Sequence, residues 1–222
     1  MVTRGQMVAG DAVVASRQTA GRGQLGRVWH AESGAALLMT AYNRTSLDPA
    51  RFGLVSIAAA GAVSDVLAGL GLHPQIKWPN DVLIDHAKVA GILIQTQIGP
   101  SSNDVYAGFG INVFSRPALL AGGVTCLADH LESVPEVARV ARQVLDRWAD
   151  ALQSLERGDS TTLRHWRDRA AWVGETISVR TDRELTGIHR GIDLSGRLIV
   201  ETAEGSVALV SGEVSRGPRR VG

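Results

Sequence analysis

The chain has little cysteine, almost no net charge and no long apolar run. Each of these shortages excludes or disfavours a class of protein. One cysteine, Cys126, among 222 residues cannot form an internal disulfide or a multi-thiolate metal site. The 23 Lys and Arg residues exceed the 22 Asp and Glu residues by one, which gives no field that favours nucleic acid or an acidic membrane. The most apolar stretch is interrupted by Ser56 and Gly61. These features predict a cytoplasmic protein whose partners include neither DNA nor a membrane.

Several catalytic patterns are also missing. The 6 histidines include no i, i+4 pair that could bind zinc, and no G-x-S-x-G elbow for a serine hydrolase occurs. Residues 21–28, GRGQLGRV, match the glycine patterns of kinases and of dinucleotide-binding proteins. However, the chain has no HRD or DFG triplet, and residues 41–46 carry no acid for a ribose. The glycine segment therefore needs another explanation.

Apolar periodicity predicts an α+β fold for the first two thirds of the chain. A helix is predicted from Asp48, with Pro49 in its first turn, to a stop at Gly71. Short β-rich runs separated by turn residues predict strands, four of them consecutive and antiparallel. The predicted strands cover residues 12–18, 35–42, 75–78, 82–85, 88–98 and 104–114.

The last third of the chain changes from helical to strand patterning. Apolar residues at helical spacing predict a long helix over residues 137–155 and a shorter one over 159–170, separated by Gly158. From Gly174 onward, four or five short strands with intervening turns predict a small β-barrel. The predicted domains are residues 1–171 and 172–222.

The glycine segment is strongly cationic. No acidic residue occurs between Ala12 and Ala31, whereas Arg17, Arg22 and Arg27 all do. Glycines let main-chain N–H groups approach an anion, and guanidinium groups suit phosphate or carboxylate. The segment is therefore either a mobile anion-binding loop or an ordinary solvated surface loop.

Three further segments, KWPNDVL, KVAGIL and GFGINV, place polar residues among apolar strands. Lys77 ends one predicted strand before a tight turn, and Lys88 begins another, in which Gly91 permits close approach of a second group. Asn112 stands among apolar neighbours and needs hydrogen-bond partners if it is buried. Taken singly, each feature is also typical of an ordinary hairpin or a solvated lysine.

In their order and spacing, QTAGRGQLGRVW, KWPNDVL, KVAGIL and GFGINV resemble the motifs of the biotin–protein ligases. These ATP-dependent enzymes attach biotin to a lysine of a carboxylase carrier domain. The resemblance covers residues 8–169 and implies a mixed, mainly antiparallel sheet flanked by helices, a class II synthetase-like ligase core, with a small C-terminal β-barrel. It further implies ATP and Mg²⁺ as cofactors, a biotin carboxyl carrier protein as partner, and a monomer or homodimer without an N-terminal DNA-binding domain.

The resemblance also implies roles for individual residues. Catalysis is assigned to Lys88, Asp81 and Arg22. Biotin binding is assigned to Gln18, Gly21, Arg22, Lys88 and Gly91. Nucleotide binding is assigned to Arg27, Trp29, Lys77, Asn80 and Asn112, and no metal ligands are assigned. The chemistry favours these residue types, because a carboxylate that attacks the α-phosphate of ATP brings two anions together and needs cations and a lid.

The chain departs from the family pattern at three points. Gln24 stands where the family has a second arginine, and Gln95 stands where an acid often follows the KVAGIL strand. The resemblance places the family's Ser-Thr-Asn segment just upstream of Met1, and because the segment is absent from this sequence we expect weakened biotin binding. Two alternatives follow, a lipoate or octanoate ligase of the same superfamily and a catalytically weakened biotin-binding or adenylate-binding paralogue.

Overall fold

The computed structural model describes residues 7–117 and 123–217, which form two antiparallel sheets and three α-helices. The strands of the first sheet are β1 (Ala12–Ala15), β2 (Ala36–Thr45), β3 (Gln75–Lys77), β4 (Asp81–Ile84), β5 (Ala87–Gln97) and β6 (Asn103–Asn112). The helices are α1 (Gly53–Gly69), α2 (Val137–Arg157) and α3 (Thr161–Arg169). The strands of the second sheet are β7 (Thr176–Arg180), β8 (Glu184–Ile192), β9 (Leu198–Thr202), β10 (Gly205–Leu209) and β11 (Glu213–Arg216).

The first sheet has the strand order β1-β2-β6-β5-β4-β3, and each of these neighbours pairs in the antiparallel direction. The prediction of four consecutive antiparallel strands, now β3 to β6, is confirmed. Parallel pairing within the described ranges is limited to isolated bridges, one of which joins Lys88 to Val124. The predicted combination of antiparallel sheet and flanking helices is therefore confirmed.

The first sheet has one covered face and one open face. Along β6, Ala107, Phe109 and Ile111 are buried in the hydrophobic core, whereas the alternating Gly108 and Gly110 line an open cavity. This alternation follows from strand geometry, in which successive side chains point to opposite faces. Helices α1 and α2 cover the core face, so the opposite face is left for a ligand.

Helix α1 begins later than its sequence predicts. Residues Pro49–Arg51 form a 3₁₀ turn, in which Asp48 Oδ1 accepts a hydrogen bond of 2.8 Å from a main-chain N–H two residues on, and the α-helix starts only at Gly53. A Cβ atom at Gly53 would lie 2.6 Å from the Ser195 carbonyl oxygen. This contact with the second sheet, which the local sequence does not encode, accompanies the late start of the helix.

The two later helices agree with their predictions. Helix α2 buries an apolar stripe that includes Val140, Val144 and Trp148. It ends at Gly158, whose φ of +71° lies in the left-handed region that glycine adopts most easily, and α3 follows. Across the described ranges, no helix is both long and apolar enough to cross a bilayer.

The second sheet has the order β10-β9-β8-β7-β11. Its strands were predicted, but their closure into a barrel is not confirmed. Strands β10 and β11 form the two edges, and within residues 123–217 no ladder joins them. The strands at these edges have 5 and 4 residues, which gives little length for a further ladder.

The two sheets pack closely through glycines and aromatic side chains. Trp78 Nε1 donates a hydrogen bond of 3.0 Å to the carbonyl of Gly196, in the turn between β8 and β9. A Cβ atom at Gly196 would lie 2.9 Å from the carbonyl carbon of Gly53. Because Ile177 and Leu198 of the second sheet belong to the same buried cluster as α1, the described part of the chain shares one hydrophobic core.

His189 is a buried titratable group within this core. It lies on β8, is 2% exposed, and has its ring centroid 5.9 Å from that of Trp166. Burial lowers the pKa of His189 from 6.5 to about 4. Because the unfolded chain then binds the proton more tightly than the folded chain, this histidine should reduce stability as the pH falls from 6.5 towards 4.

We expect the free energy of unfolding to fall by roughly 3 kcal/mol across that pH range because of His189 alone. Urea unfolding at several pH values would measure the loss, and His189→Leu should remove most of it. His73→Gln serves as the matched control, because His73 is exposed. An identical pH dependence in the wild type and His189→Leu would contradict this account.

Candidate functional site

The open face of the first sheet forms the floor of a cavity of about 940 Å³. Strands β4, β5 and β6 contribute the floor, the glycine loop (residues 21–28) contributes one wall, and residues 212–214 at β11 contribute another. The predicted site residues Gln18, Arg22, Arg27, Trp29, Lys77, Asn80, Asp81, Lys88, Gly91 and Asn112 all line this cavity. Gly21, at the start of this loop, is buried and is not among the lining residues.

A row of paired residues crosses the cavity floor. Asp81 of β4 pairs with Gly91 of β5, and Gly91 pairs with Gly110 of β6. The Trp29 ring lies over these glycines, since Cβ atoms at Gly91 and Gly110 would lie 3.0 Å and 2.7 Å from it. Two adjacent glycines therefore form a trough (Gly91 and Gly110) that accepts a flat ring.

The carboxylate of Asp81 binds both lysines of the chain. Lys88 Nζ lies 2.5 Å from Asp81 Oδ1, and Lys77 Nζ lies 3.3 Å from Asp81 Oδ2. The Asp81 side chain is only 13% exposed, so water screens these charges weakly. Lys88 Nζ also lies 5.5 Å from the centroid of the Trp29 ring. Together, Asp81, Lys77 and Lys88 carry a net charge of +1 beside the trough. This charge suits an anionic ligand.

Main-chain hydrogen bonds hold Lys88 and Asn112 in fixed relation. The Lys88 N–H donates to the Gly123 carbonyl at 2.9 Å, and the Thr125 N–H donates to the Lys88 carbonyl at 2.9 Å. Asn112 is 2% exposed, and its Nδ2 donates to the Thr125 carbonyl at 3.0 Å. The sequence-based expectation that a buried Asn112 needs a partner is therefore met.

Asn80 stabilises the turn that carries Asp81. Its Nδ2 donates a hydrogen bond of 2.6 Å to the Ile92 carbonyl, and the Ile92 N–H donates to the Asn80 carbonyl at 2.9 Å. A side chain that bonds the neighbouring strand in this way fixes the turn. Asn80 therefore orients Asp81, and its remaining amide oxygen is the atom available for a ligand.

The glycine loop is a small hairpin rather than an irregular coil. The Trp29 N–H donates to the Gly21 carbonyl at 3.0 Å, the Gly23 N–H donates to the Arg27 carbonyl at 2.7 Å, and a 3₁₀ turn spans Gln24–Gly26. A Cβ atom at Gly21 would clash with the Trp29 carbonyl and lie 2.9 Å from Gln18 Oε1. Gly21 is therefore required for closure of the hairpin beside Gln18.

Arg27 of this loop is paired with an acid that is remote in the sequence. Glu213 of β11 forms ion pairs with both Arg27 and Arg180. Partial burial raises the pKa of the Glu213 carboxyl, but hydrogen bonds and charges from the two arginines outweigh this effect and leave its pKa below the ordinary value. The loop lacks a local acid, as its sequence shows, but the fold supplies one.

The C-terminal region also contributes to the cavity, which no local pattern in the sequence indicates. Trp172 packs against the hydrophobic core with part of its side chain and also lines the cavity. Its ring lies 5.8 Å from Lys77 Nζ and 6.0 Å from the guanidinium carbon of Arg216. Trp172 has a φ of +64°, which is uncommon for a bulky side chain and is not predictable from local sequence.

Within the described ranges, no group of three or more His, Cys, Asp or Glu side chains could hold a metal ion. Asp81 is engaged by two lysines, and the position of Gln95 on the cavity wall offers an amide rather than a carboxylate. Mg²⁺ commonly binds through the phosphates of a nucleotide. The described lining of this cavity offers no comparable set of carboxylates to hold the ion directly.

Two family models match the chain. The biotin/lipoate A/B protein ligase family matches residues 4–112, and the biotin protein ligase C terminal domain matches residues 173–217. The first match contains every site residue predicted above. The second contains Glu213, which the cavity adds to the predicted set.

Similar sequences and structures have the same family description. The chain is 30% identical to the biotin–[acetyl-CoA-carboxylase] ligase of Mycobacterium tuberculosis, over 95% of this chain and 80% of that protein. It is 32% identical to the bifunctional ligase/repressor BirA of Bacillus spizizenii over 94% of its length, and it spans 66% of that protein. The biotin protein ligase of Aquifex aeolicus, solved with biotin and ATP, superposes with a TM-score of 0.81 at 27% identity, covering 96% of this chain and 92% of that one.

Proposed function

Because this chain belongs to the biotin protein ligases, we propose that it activates biotin with ATP and transfers the biotinyl group to a lysine of an acceptor protein. The observation that carries this proposal is the pairing of Asp81 with Lys77 and Lys88 beside the glycine trough. The acceptor we propose is a biotin carboxyl carrier protein or domain, in keeping with the name of the Mycobacterium tuberculosis relative.

In the first step, the biotin carboxylate attacks the α-phosphate of ATP, forms biotinyl-5′-AMP and releases pyrophosphate. Lys88 begins β5 at the edge of the trough, where its ammonium group neutralises the two anions as they approach. Arg22 adds positive charge from the loop, and Lys77 adds it from β3. Mg²⁺ carried by the phosphates would supply further charge neutralisation.

The substrate ring systems require flat surfaces and hydrogen-bond partners. The Trp29 ring covers the trough of Gly91 and Gly110 and would form one flat wall of the site, with Gln18 and the Gly21 hairpin holding the polar end of the biotin ring system. Asn112, fixed by Thr125, lies at the adenine end, with Asn80 and Trp29 as further contacts. Residues 1–171 would supply this biotin-binding and ATP-binding domain, and residues 172–222 would form a smaller domain, for which a closed barrel remains our prediction.

In the second step, the amine of the acceptor lysine displaces AMP. Asp81 is the carboxylate nearest the reacting groups, but its two oxygens are occupied by lysines when no substrate is bound. As the adenylate forms, its phosphate attracts Lys88 and releases Asp81 Oδ1. The acceptor amine can then donate to that oxygen, which orients it and removes its proton.

This function is testable by incubating the protein with biotin, ATP and an isolated biotin carrier domain. We expect ATP-dependent addition of one biotinyl group to one lysine of that domain, detected by mass spectrometry. Octanoate and lipoate in place of biotin test the alternative ligase activity. Transfer of octanoate or lipoate but not biotin would overturn the proposal. Adenylate formation without transfer would indicate the catalytically weakened paralogue, for which the missing Ser-Thr-Asn segment is the argument.

The ion pair between Arg27 and Glu213 should hold the glycine loop over the cavity. We expect Glu213→Gln to increase the rate of trypsin cleavage after Arg22 about two- to fivefold, the range for a largely exposed ion pair. Arg180→Gln is the matched control, because it removes the other arginine on Glu213 and leaves the loop contact.

Biotin and ATP together should slow this cleavage in the wild type, because a closed lid excludes both water and protease. Equal cleavage rates in the wild type and Glu213→Gln would contradict the role of the ion pair. Cleavage that is unaffected by biotin and ATP would contradict the role of the glycine loop as a lid.

A further inference from the structure

Thr125 connects the floor of the proposed active site to side chains that the mechanism above does not use. It is 3% exposed, and its main chain bonds both Lys88 and Asn112, as described above. Its hydroxyl makes two further contacts, at 3.0 Å to Asp129 Oδ2 and at 2.7 Å to His130 Nε2. Thr125 is therefore held by its N–H, its carbonyl and its hydroxyl at once.

The two hydroxyl contacts have a definite direction. Burial raises the pKa of the Asp129 carboxyl, but hydrogen bonds from the Cys126 N–H and the Thr125 hydroxyl outweigh this effect and leave its pKa below the ordinary value. Asp129 is therefore an ionised acceptor at neutral pH, so the Thr125 hydroxyl donates to it. The oxygen of that hydroxyl then accepts from the Nε2–H of His130.

We propose that Thr125 is a positioning residue that orients the Asn112 amide for an adenine ring, and that Asp129 and His130 hold Thr125 in the required place. This inference rests on the proposed function, because it needs a nucleotide in the cavity that Asn112 lines. A carbonyl oxygen accepts only from an N–H group, so the bond from Asn112 Nδ2 to the Thr125 carbonyl fixes which end of the amide is which.

An amide of fixed orientation can distinguish between purines. With one Nδ2 hydrogen bonded to Thr125, Asn112 retains Oδ1 as an acceptor and a second N–H as a donor. Adenine presents a 6-amino donor beside a ring-nitrogen acceptor, which this pair matches. Hypoxanthine has a 6-oxo acceptor in place of the amino donor. Reversing the amide to suit it would place Oδ1 against the Thr125 carbonyl, which loses a buried hydrogen bond and opposes two acceptors.

The biotin end of the cavity does not depend on the Thr125 hydroxyl. Gln18 and Gly21 belong to the glycine-loop wall, which the Trp29 N–H closes through the Gly21 carbonyl. The Lys88 main chain has further support, because its N–H donates to Gly123 and the residue pairs with β4. Removal of the hydroxyl should therefore weaken nucleotide binding and leave biotin binding unchanged.

The test compares two substitutions of Thr125 in the full chain. Thr125→Val keeps the branched shape and removes the hydroxyl, whereas Thr125→Ser keeps the hydroxyl. Thr45→Val is the matched control, because Thr45 is equally buried, its hydroxyl accepts a hydrogen bond of 3.1 Å from the Leu47 N–H, and it is not among the described cavity residues. Biotin-dependent exchange of labelled pyrophosphate into ATP, or into inosine 5′-triphosphate (ITP), gives kcat and KM for each nucleotide.

We expect Thr125→Val to raise the KM for ATP about three- to tenfold, the factor for loss of one hydrogen bond, with the KM for biotin unchanged. The preference for ATP over ITP, measured as the ratio of the two kcat/KM values, should fall by a similar factor. Thr125→Ser should restore both values, and Thr45→Val should match the wild type. A loss of stability alone would reduce the amount of active enzyme but not this ratio. An unchanged ratio in folded Thr125→Val would overturn the inference.

A second variant and a wild-type measurement complete the test. If Thr125→Val does not fold, His130→Phe replaces it, because it removes one of the two hydroxyl contacts and keeps a ring of similar shape. The ratio should shift in the same direction but less, and no shift would contradict the inference. Absence of biotin-dependent exchange in the wild type would instead overturn the proposed function. Wild-type exchange that uses ATP and ITP equally well would contradict this inference alone.

Discussion

Replacement of Lys88 by alanine should reduce the rate of biotinyl-5′-AMP synthesis by about 10²-fold or more, because the variant loses the cation nearest the reacting anions. Lys88 is held by the Asp81 carboxylate and by main-chain bonds to Gly123 and Thr125. The variant loses the contacts of the ammonium group with Asp81 and with the Trp29 ring but keeps both main-chain bonds, so its fold should survive. The measurement is release of pyrophosphate from ATP in the presence of biotin, together with a thermal unfolding curve.

Arg183→Ala is the control for removal of a cation, because Arg183 is exposed in the turn between β7 and β8 and does not line the cavity. It should retain the wild-type rate. Near-normal synthesis in Lys88→Ala, at unchanged stability, would remove Lys88 from the catalytic residues.

Asp81→Asn should reduce transfer of biotin to the carrier domain by about 10²-fold, since the variant cannot remove the proton of the acceptor amine. The experiment supplies preformed biotinyl-5′-AMP in a single turnover and follows biotin on the carrier. Synthesis of the adenylate should be affected less than transfer, because Lys77 and Lys88 remain. Equal losses in the two steps would show that Asp81 acts only by positioning the lysines.

Much of the fold was predictable because its elements depend on local patterns. Strands β3 to β6 follow turn residues and apolar alternation, and helix α2 ends at Gly158, which adopts a left-handed conformation. The start of α1 was not predictable, because it accompanies a contact between Gly53 and Ser195 of the second sheet. Whether the second sheet closes was also not predictable, because strand count does not determine which edges pair.

The candidate site also contains some residues whose roles were predictable from the sequence and others whose roles were not. Lys77, Asp81, Lys88 and Asn112 belong to compact motifs, and the antiparallel register brings them together. The contributions of Glu213 and Trp172 depend on packing of the second sheet against the first, so no local pattern indicates them. The sharing of Asp81 by both lysines is likewise a consequence of tertiary structure.

The central claim is that this site activates biotin, and exchange of labelled pyrophosphate into ATP tests it most directly. Exchange requires only the first step, so it does not depend on identification of the natural acceptor. The account predicts exchange that depends on biotin, is not supported by lipoate or octanoate, and is lost in Lys88→Ala. Exchange supported equally by octanoate, or no exchange with biotin by a folded protein, would contradict it.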